Sequence, residues 1–142
     1  MALDLDGYLG IHAKALQVRS RRTELLATNL ANADTPGYKA RDLDFKAAIA
    51  AASGSTSSHL APLATRSGHI STGAIGPDGL PSRDALDGFL KFRTPLAPSL
   101  DGNTVDAQLE QAAFADNSVR YQATLQFLSG RFRSLMTAIT GQ

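Results

Sequence analysis

The chain has 142 residues, the size of one ordinary domain, and its net charge of +1 falls short of the basic excess that sequence-independent nucleic-acid binding needs. Cysteine is absent, which excludes disulfides, thiolate metal sites and cysteine nucleophiles together. There is no apolar run of about 18 residues, so no segment reads as a membrane span.

The N-terminus carries Asp4 and Asp6 and no basic stretch ahead of an apolar one, so it does not read as a cleaved secretory signal. Residues 4–33 lack proline and hold glycine only near their start. Within them Leu5, Leu9, His12, Leu16, Arg19, Thr23, Leu26 and Leu30 alternate at spacings of four and three. That repeat, near 3.5, predicts a helix that packs along a seam. Ile11, Val18 and Leu25 form a second stripe beside it, so the helix is predicted to be apolar on more than one side. Its length would be roughly 40 Å at about 1.5 Å per residue.

A hard stop follows at Thr35-Pro36-Gly37-Tyr38. Pro36 disfavours helical geometry at Thr35, and Pro-Gly fits the middle of a type II turn with glycine at positive φ. Asn29 and Asn32 lie on one face within the last turn or so. Their amides either bond the free carbonyls of the helix end or reach a partner. Residues 39–45, KARDLDF, form a charged, half-apolar run like a strand, in which Asp42 and Asp44 read as a solvated face.

Composition changes between residues 53 and 102. SGSTSS reads as a linker, and GAIGPDGLPS and RTPLAPSLDGN hold too much Gly and Pro for long helices. GFLKFRT sets Phe89 and Lys91 opposite Leu90 and Phe92 and predicts a short strand. A small irregular or β insert is expected here.

The last helix is predicted over residues 104–140, roughly 55 Å long. Phe114, Ser118, Tyr121, Leu125, Leu128, Phe132, Leu135 and Ile139 repeat the four-three alternation, and Val105, Leu109, Ala112 and Val119 make an offset stripe. Asn103 is placed to cap the start, with Asp106 near the free N–H groups, and Gly141 to stop the end. Gly130 inside the helix is either a tolerated flaw or a point of close backbone approach. The expected fold is mainly α: long N- and C-terminal helices pair as an antiparallel coiled coil, with the small irregular/β insert between them. The divisions are 1–34 for the first helix, 35–102 for turn, linker and insert, and 103–142 for the last helix.

No catalytic arrangement emerges. His12, His59 and His69 are scattered and lack acidic partners at ligand spacing, so no metal site is expected. There is no G-x-S-x-G, and GAIGPDG is not followed by the Lys-Ser/Thr of a phosphate loop. Neither an enzyme activity nor a cofactor is expected. Lys14, Arg19, Arg21 and Arg22 make a basic patch on the first helix, expected to meet Asp106, Glu110 or Asp116 of a neighbouring subunit.

The segment NLANADTPGYKARDLDF resembles the N-terminal signature of flagellar basal-body rod proteins, of the form A-x-N-x-A-N-x-x-T-P-G-Y. Ala27, Asn29, Ala31, Asn32, Thr35, Pro36, Gly37 and Tyr38 all match it. The short chain, the run KARDLDF directly after the turn and DGNTVD at 101–106 are similar to the proximal rod type within that family. The resemblance covers both terminal segments well and the middle only in pieces. It implies a structural protein of the periplasmic axle, exported unfolded by the flagellar type III apparatus and polymerised through its paired terminal helices. It further implies a place near the MS ring and the adaptor FliE, with FlgC-type subunits close by. Phe45-Lys46-Ala47-Ala48-Ile49 has the Phe-x-x-x-hydrophobic form that docks early substrates on the export gate, although a plain strand or helix start has the same form.

The residues themselves point the same way. Aromatics are 6 % of the chain and tryptophan is absent, and two helices packed only on each other bury one seam apiece. The stripes Ile11/Val18/Leu25 and Val105/Leu109/Ala112/Val119 are then expected to face water, and exposed apolar stripes of that length mark association. The alternative reading is a soluble helical adaptor or export chaperone that binds a partner helix.

Overall fold

The computed structural model describes residues 5–53, 81–95 and 99–141, with side chains described from residue 10 onward in the first helix. The elements in chain order are α1 (Leu5–Ala31), β1 (Arg41–Leu43), α2 (Phe45–Ala52), α3 (Arg83–Asp87), β2 (Leu90–Phe92) and α4 (Ala107–Thr140). The long helices α1 and α4 lie side by side and antiparallel. Asn29 near the end of α1 meets Glu110 near the start of α4, Arg19 and Thr23 meet Asn117, and His12 lies beside Phe127. The fold is thus mainly helical, with the insert reduced to two short helices and a two-stranded sheet among the described residues.

The helix ends follow local chemistry. Past Ala31 the chain tightens through Asn32 N–H to Asn29 O and Ala33 N–H to Leu30 O, then turns at Pro36-Gly37. Gly37 has φ of 74°, and Tyr38 N–H donates to Thr35 O at 3.3 Å, the geometry predicted for a type II turn. At the other helix, Asp106 and not Asn103 is the cap: its carboxylate accepts from Gln108 and Leu109 N–H. Asn103 instead turns back to the first helix, donating to Asn32 O and Ala33 O at 3.1 and 2.6 Å. It caps the C-terminal end of α1, where carbonyls lack partners. Gly141 ends α4 in the left-handed conformation, with φ of 72° and its N–H on Thr137 O. A Cβ at Gly130 would meet nothing within 4 Å, so no backbone of the same chain approaches it among the described residues.

The predicted strands pair antiparallel in the register Arg41↔Phe92, Asp42↔Lys91 and Leu43↔Leu90. Asp44 then caps α2 by accepting Ala47 N–H, and Ser82 caps α3 by accepting Ala85 N–H. These pieces close on α1 around Val18, Leu25, Leu43, Ala48 and Leu86, with Phe45, Ile49, Phe89 and Leu90 packed against them. The apolar centre therefore lies between α1 and the insert. That corrects one expectation: Val18 and Leu25 of the second α1 stripe do not face water, because the insert of the same chain covers them. Burying each contributes about 1.5–3 kcal/mol. Ile11, at the far end of the stripe, is exposed. The SGSTSS tract beyond Ser53, His59 and His69 lie outside the described residues.

A second correction concerns the seam on α4. Its buried line is Glu110, Asn117 and Thr124, seven apart and polar. Tyr121, Leu128 and Leu135 are half-buried at its edge, whereas Phe114, Leu125, Phe132 and Ile139 are 38 %, 39 %, 48 % and 77 % exposed. The helix is turned by about one residue from the face its leucines and phenylalanines mark. Polar side chains take the inner positions because each finds a partner there: Glu110 on Asn29 and Arg93, Asn117 on Arg19 O and Thr23 Oγ1, Thr124 on the Arg120 carbonyl. On α1, Leu26 is fully buried and Leu16 and Leu30 are half-buried; the side chains of Leu5 and Leu9 lie outside the described residues. Leu109, Ala112 and Val119 of the offset stripe are exposed, as expected, whereas Val105, which precedes the helix, is half-buried.

Candidate functional site

Two features of this chain stand out: the junction where both helices meet the turn, and the outer face of α4 with its exposed apolar residues. The junction is built on the two asparagines, which do different things. Asn32 is a local cap, donating to Thr28 O at 2.8 Å and accepting from Thr35 Oγ1 at 3.2 Å. Asn29 is 1 % exposed and joins three elements. Its amide donates to Arg41 O at 2.7 Å and to Glu110 Oε2 at 3.1 Å, and its oxygen accepts from Arg41 N–H at 3.1 Å and from the Tyr38 hydroxyl at 3.3 Å. All four hydrogen-bonding positions of the amide are filled.

The Thr35–Tyr38 turn docks on the DGNTVD segment. Gly37 N–H donates to Asp101 O at 2.9 Å, Thr104 N–H to Tyr38 O at 3.0 Å, Ala40 N–H to Thr104 Oγ1 at 2.8 Å, and Lys39 Nζ to Gly102 O at 2.6 Å. Pro36 stands exposed at the tip. The two stretches most diagnostic in the sequence are thus stitched to each other, backbone to backbone.

The basic patch on α1 finds its acids within the chain. Arg22 grips both oxygens of Asp42, at 2.8 and 2.7 Å, and Arg93 Nη2 joins Asp42 Oδ2 at 2.7 Å. Arg21 donates twice to Asp87 Oδ1 and once to Glu24, which also pairs with Arg83. Lys14 reaches Ala52 O at 2.7 Å, and the Arg19 guanidinium lies 4.3 Å over the Phe45 ring. This corrects the expectation of acids from a neighbour: Glu110 is taken by Arg93 at 2.8 Å and Asp116 by Arg120. Asp42 is likewise no freely solvated residue but a half-buried clamp between two arginines. Asp44 is a helix cap paired with Lys91.

Burial pushes the Asp42 carboxyl up, but hydrogen bonds from Arg22 and Arg93 outweigh it and hold the group below the ordinary carboxylate value. A carboxyl lowered in the folded state adds stability above its unfolded pKa and loses it as pH falls through the folded one. Glu24, Asp44 and Asp101 shift the same way, led by hydrogen bonds from Arg21, Lys91 and Ser99. Urea unfolding is therefore expected to give a flat stability near neutrality and a decline below about pH 4. Asp42→Asn should flatten part of that decline. An unchanged pH slope in this variant would show that the clamp does not contribute.

The outer face of α4 offers Phe114, Leu125, Phe132 and Ile139 in one stripe, with Met136 beside it. On the other flank, Phe127 with His12, Gln126, Gly130, Arg131 and Ser134 lines an open, shallow cleft of about 500 Å³. Phe45 and Ile49, the candidate export-gate pair, begin α2 and pack half-buried against the core. Among the described residues, no helix is long and apolar enough to cross a membrane.

Arg93 and Asn117 escaped the sequence reading, and Glu110 entered it only as an acid for a neighbouring subunit. A signal existed: Glu110, Asn117 and Thr124 form a polar line at a spacing of seven along α4.

Comparison with known proteins gives a consistent picture. Residues 9–39 match the family described as flagella basal body rod protein. The chain is 46 % identical over 134 residues to the flagellar basal body rod protein FlgB of Cereibacter sphaeroides, covering 94 % of each chain. It is 40 % identical to the protein of that name from Aeromonas hydrophila, covering 100 % of this chain and 99 % of that one. For the Escherichia coli K12 protein of that name, identity is 41 % with 95 % and 94 % covered.

Proposed function

The chain belongs to the flagellar basal body rod protein family, and from that premise we propose that it is a structural subunit of the proximal rod. It polymerises with other copies of itself and with FlgC-type and other rod proteins, and passes torque from the MS ring to the distal rod. The observation that carries this reading is the apolar stripe on α4, from Phe114 to Ile139, which stands exposed among the described residues. A helix face of that length exposed to water favours association, and neighbouring subunits bury it in the axle. Asn29, Asn32, Thr35, Pro36, Gly37 and Tyr38 hold the turn that sets the direction in which the insert leaves the helix pair.

The rod lies in the periplasmic part of the basal body, and this subunit sits at its base, near the FliE adaptor and the MS ring. The chain reaches it through the flagellar type III export gate. Phe45 and Ile49 pack on the core in the folded chain, so a gate that reads them meets the chain before it folds. Basal bodies purified from a strain lacking this gene test the proposal. The expected particle has an MS ring and no rod, and regains the rod when the gene is restored. A complete rod in the deletion strain overturns it.

A further inference from the structure

We infer that the cleft over Gly130 is a socket for a second copy of this chain, which seats the Phe114 end of its own α4 stripe there. This rests on the rod reading above and names the two surfaces that join. Glycine is among the least favourable residues inside a helix. A Cβ at Gly130 would meet nothing within 4 Å, so among the described residues nothing in its own chain uses the bare backbone. Beside it opens the cleft of about 500 Å³, lined by Phe127 and Ser134 of α4 and by His12 of α1, whose ring centroid lies 6.3 Å from that of Phe127. Bare helix backbone on the floor of a cleft lets another helix approach closely.

The stripe of Phe114, Leu125, Phe132 and Ile139 runs along the opposite flank of α4. Stripe against stripe would leave the cleft empty, whereas stripe into cleft buries both. Such a contact joins unlike surfaces, and its repetition builds an open helical polymer in which every copy points the same way. Charge selects which part of the stripe enters. From Asp101 to Val119 the chain holds Asp101, Asp106, Glu110 and Asp116 and no Lys or Arg; from Arg120 to Gly141 it holds Arg120, Arg131 and Arg133 and no Asp or Glu. With the two helices parallel, Phe114 over Gly130 brings Asp116 of one copy level with Arg131 and Arg133 of the other. Asp116 can turn that way, because its pair with Arg120 is a solvent-exposed one and holds it weakly. Phe132 over Gly130 would instead set Arg133 of one copy beside Arg131 of the other. The stagger from Phe114 to Gly130 is about 24 Å along the helix.

The chain has no cysteine, so introduced cysteines report without background. Basal bodies purified from a strain whose only copy carries both Ser118→Cys and Ser134→Cys are treated with a mild oxidant. These positions lie about 24 Å apart on one helix, and a disulfide needs Cα atoms within about 7 Å, so none forms within a chain. The expected result is a ladder of disulfide-linked dimers and larger species, with monomer alone from either single variant. Dimers from Ser118→Cys alone mean stripe on stripe, and dimers from Ser134→Cys alone mean cleft on cleft; either overturns the inference, as does a double variant that stays monomeric. Gly130→Leu is the second arm. Helix propensity should raise the melting temperature of the isolated chain by about 2–4 °C, yet the amount in basal bodies should fall at least about tenfold. Incorporation at the wild-type level overturns the socket and leaves the chain a rod subunit. Wild-type chain missing from basal bodies would sink the rod reading itself.

Discussion

Asn29→Ala is expected to destabilise the isolated chain by about 3 kcal/mol, and Asn32→Ala by about 1 kcal/mol, although both residues end the same helix three positions apart. The larger figure follows from what is left behind. Removing the Asn29 amide orphans Arg41 N–H and Arg41 O, takes a hydrogen bond from buried Glu110 and frees the Tyr38 hydroxyl. An unsatisfied buried group costs about 1–3 kcal/mol, while a half-buried hydroxyl recovers a water. Asn32 lies at the exposed end of the helix and bonds Thr28 O and Thr35, so its loss is that of a cap. Asn29→Asp should be at least as harmful as Asn29→Ala. It keeps the shape but cannot donate to Arg41 O, and it sets a second carboxylate beside Glu110. Urea melts of the three variants read these differences directly. Equal losses at positions 29 and 32 would mean that the network around Asn29 is not a unit.

Phe132→Asp has the opposite signature: little effect on the chain alone and a severe one on the assembly. Phe132 is 48 % exposed on the outer face of α4, so a charge there is solvated in the single chain, and its stability should stay within about 0.5 kcal/mol of wild type. In an assembly that buries the stripe, the same carboxylate would lie unpaired in an apolar interface. Swimming in soft agar should be lost, and the variant should be absent from purified basal bodies at wild-type expression. Full motility with Phe132→Asp would remove this face from the interface.

Part of this fold was legible before any coordinates. The four-three alternation marked both long helices, and Pro36-Gly37 fixed a turn with the geometry later found. GFLKFRT yielded its strand at Leu90–Phe92. What escaped has a common cause. Reading periodicity assumes that the apolar side of a helix points inward, and on α4 hydrogen bonds from Asn29 and Arg93 to Glu110, and from Asn117 to Arg19 O and Thr23 Oγ1, reverse that. Asn103 was placed on the nearer helix because caps act locally, yet it reaches Asn32 and Ala33 about seventy positions away. The basic patch was assigned to a neighbour because nothing in a linear sequence places Asp87 beside Arg21. The stripe of Val18 and Leu25 was left to water because the insert looked too irregular to cover it.

Antiparallel pairing has a mechanical corollary. The start of α1 and the end of α4 lie at one extremity of the hairpin, and the stitched junction closes the other. Load that drags the helices past each other along their length strains Asn29–Glu110 and Arg19–Asn117 together. Load that pries the open extremity apart instead breaks such contacts in succession. A subunit built this way resists sliding far better than peeling, so it suits a shaft in which neighbours press on its flanks and keep that open end shut.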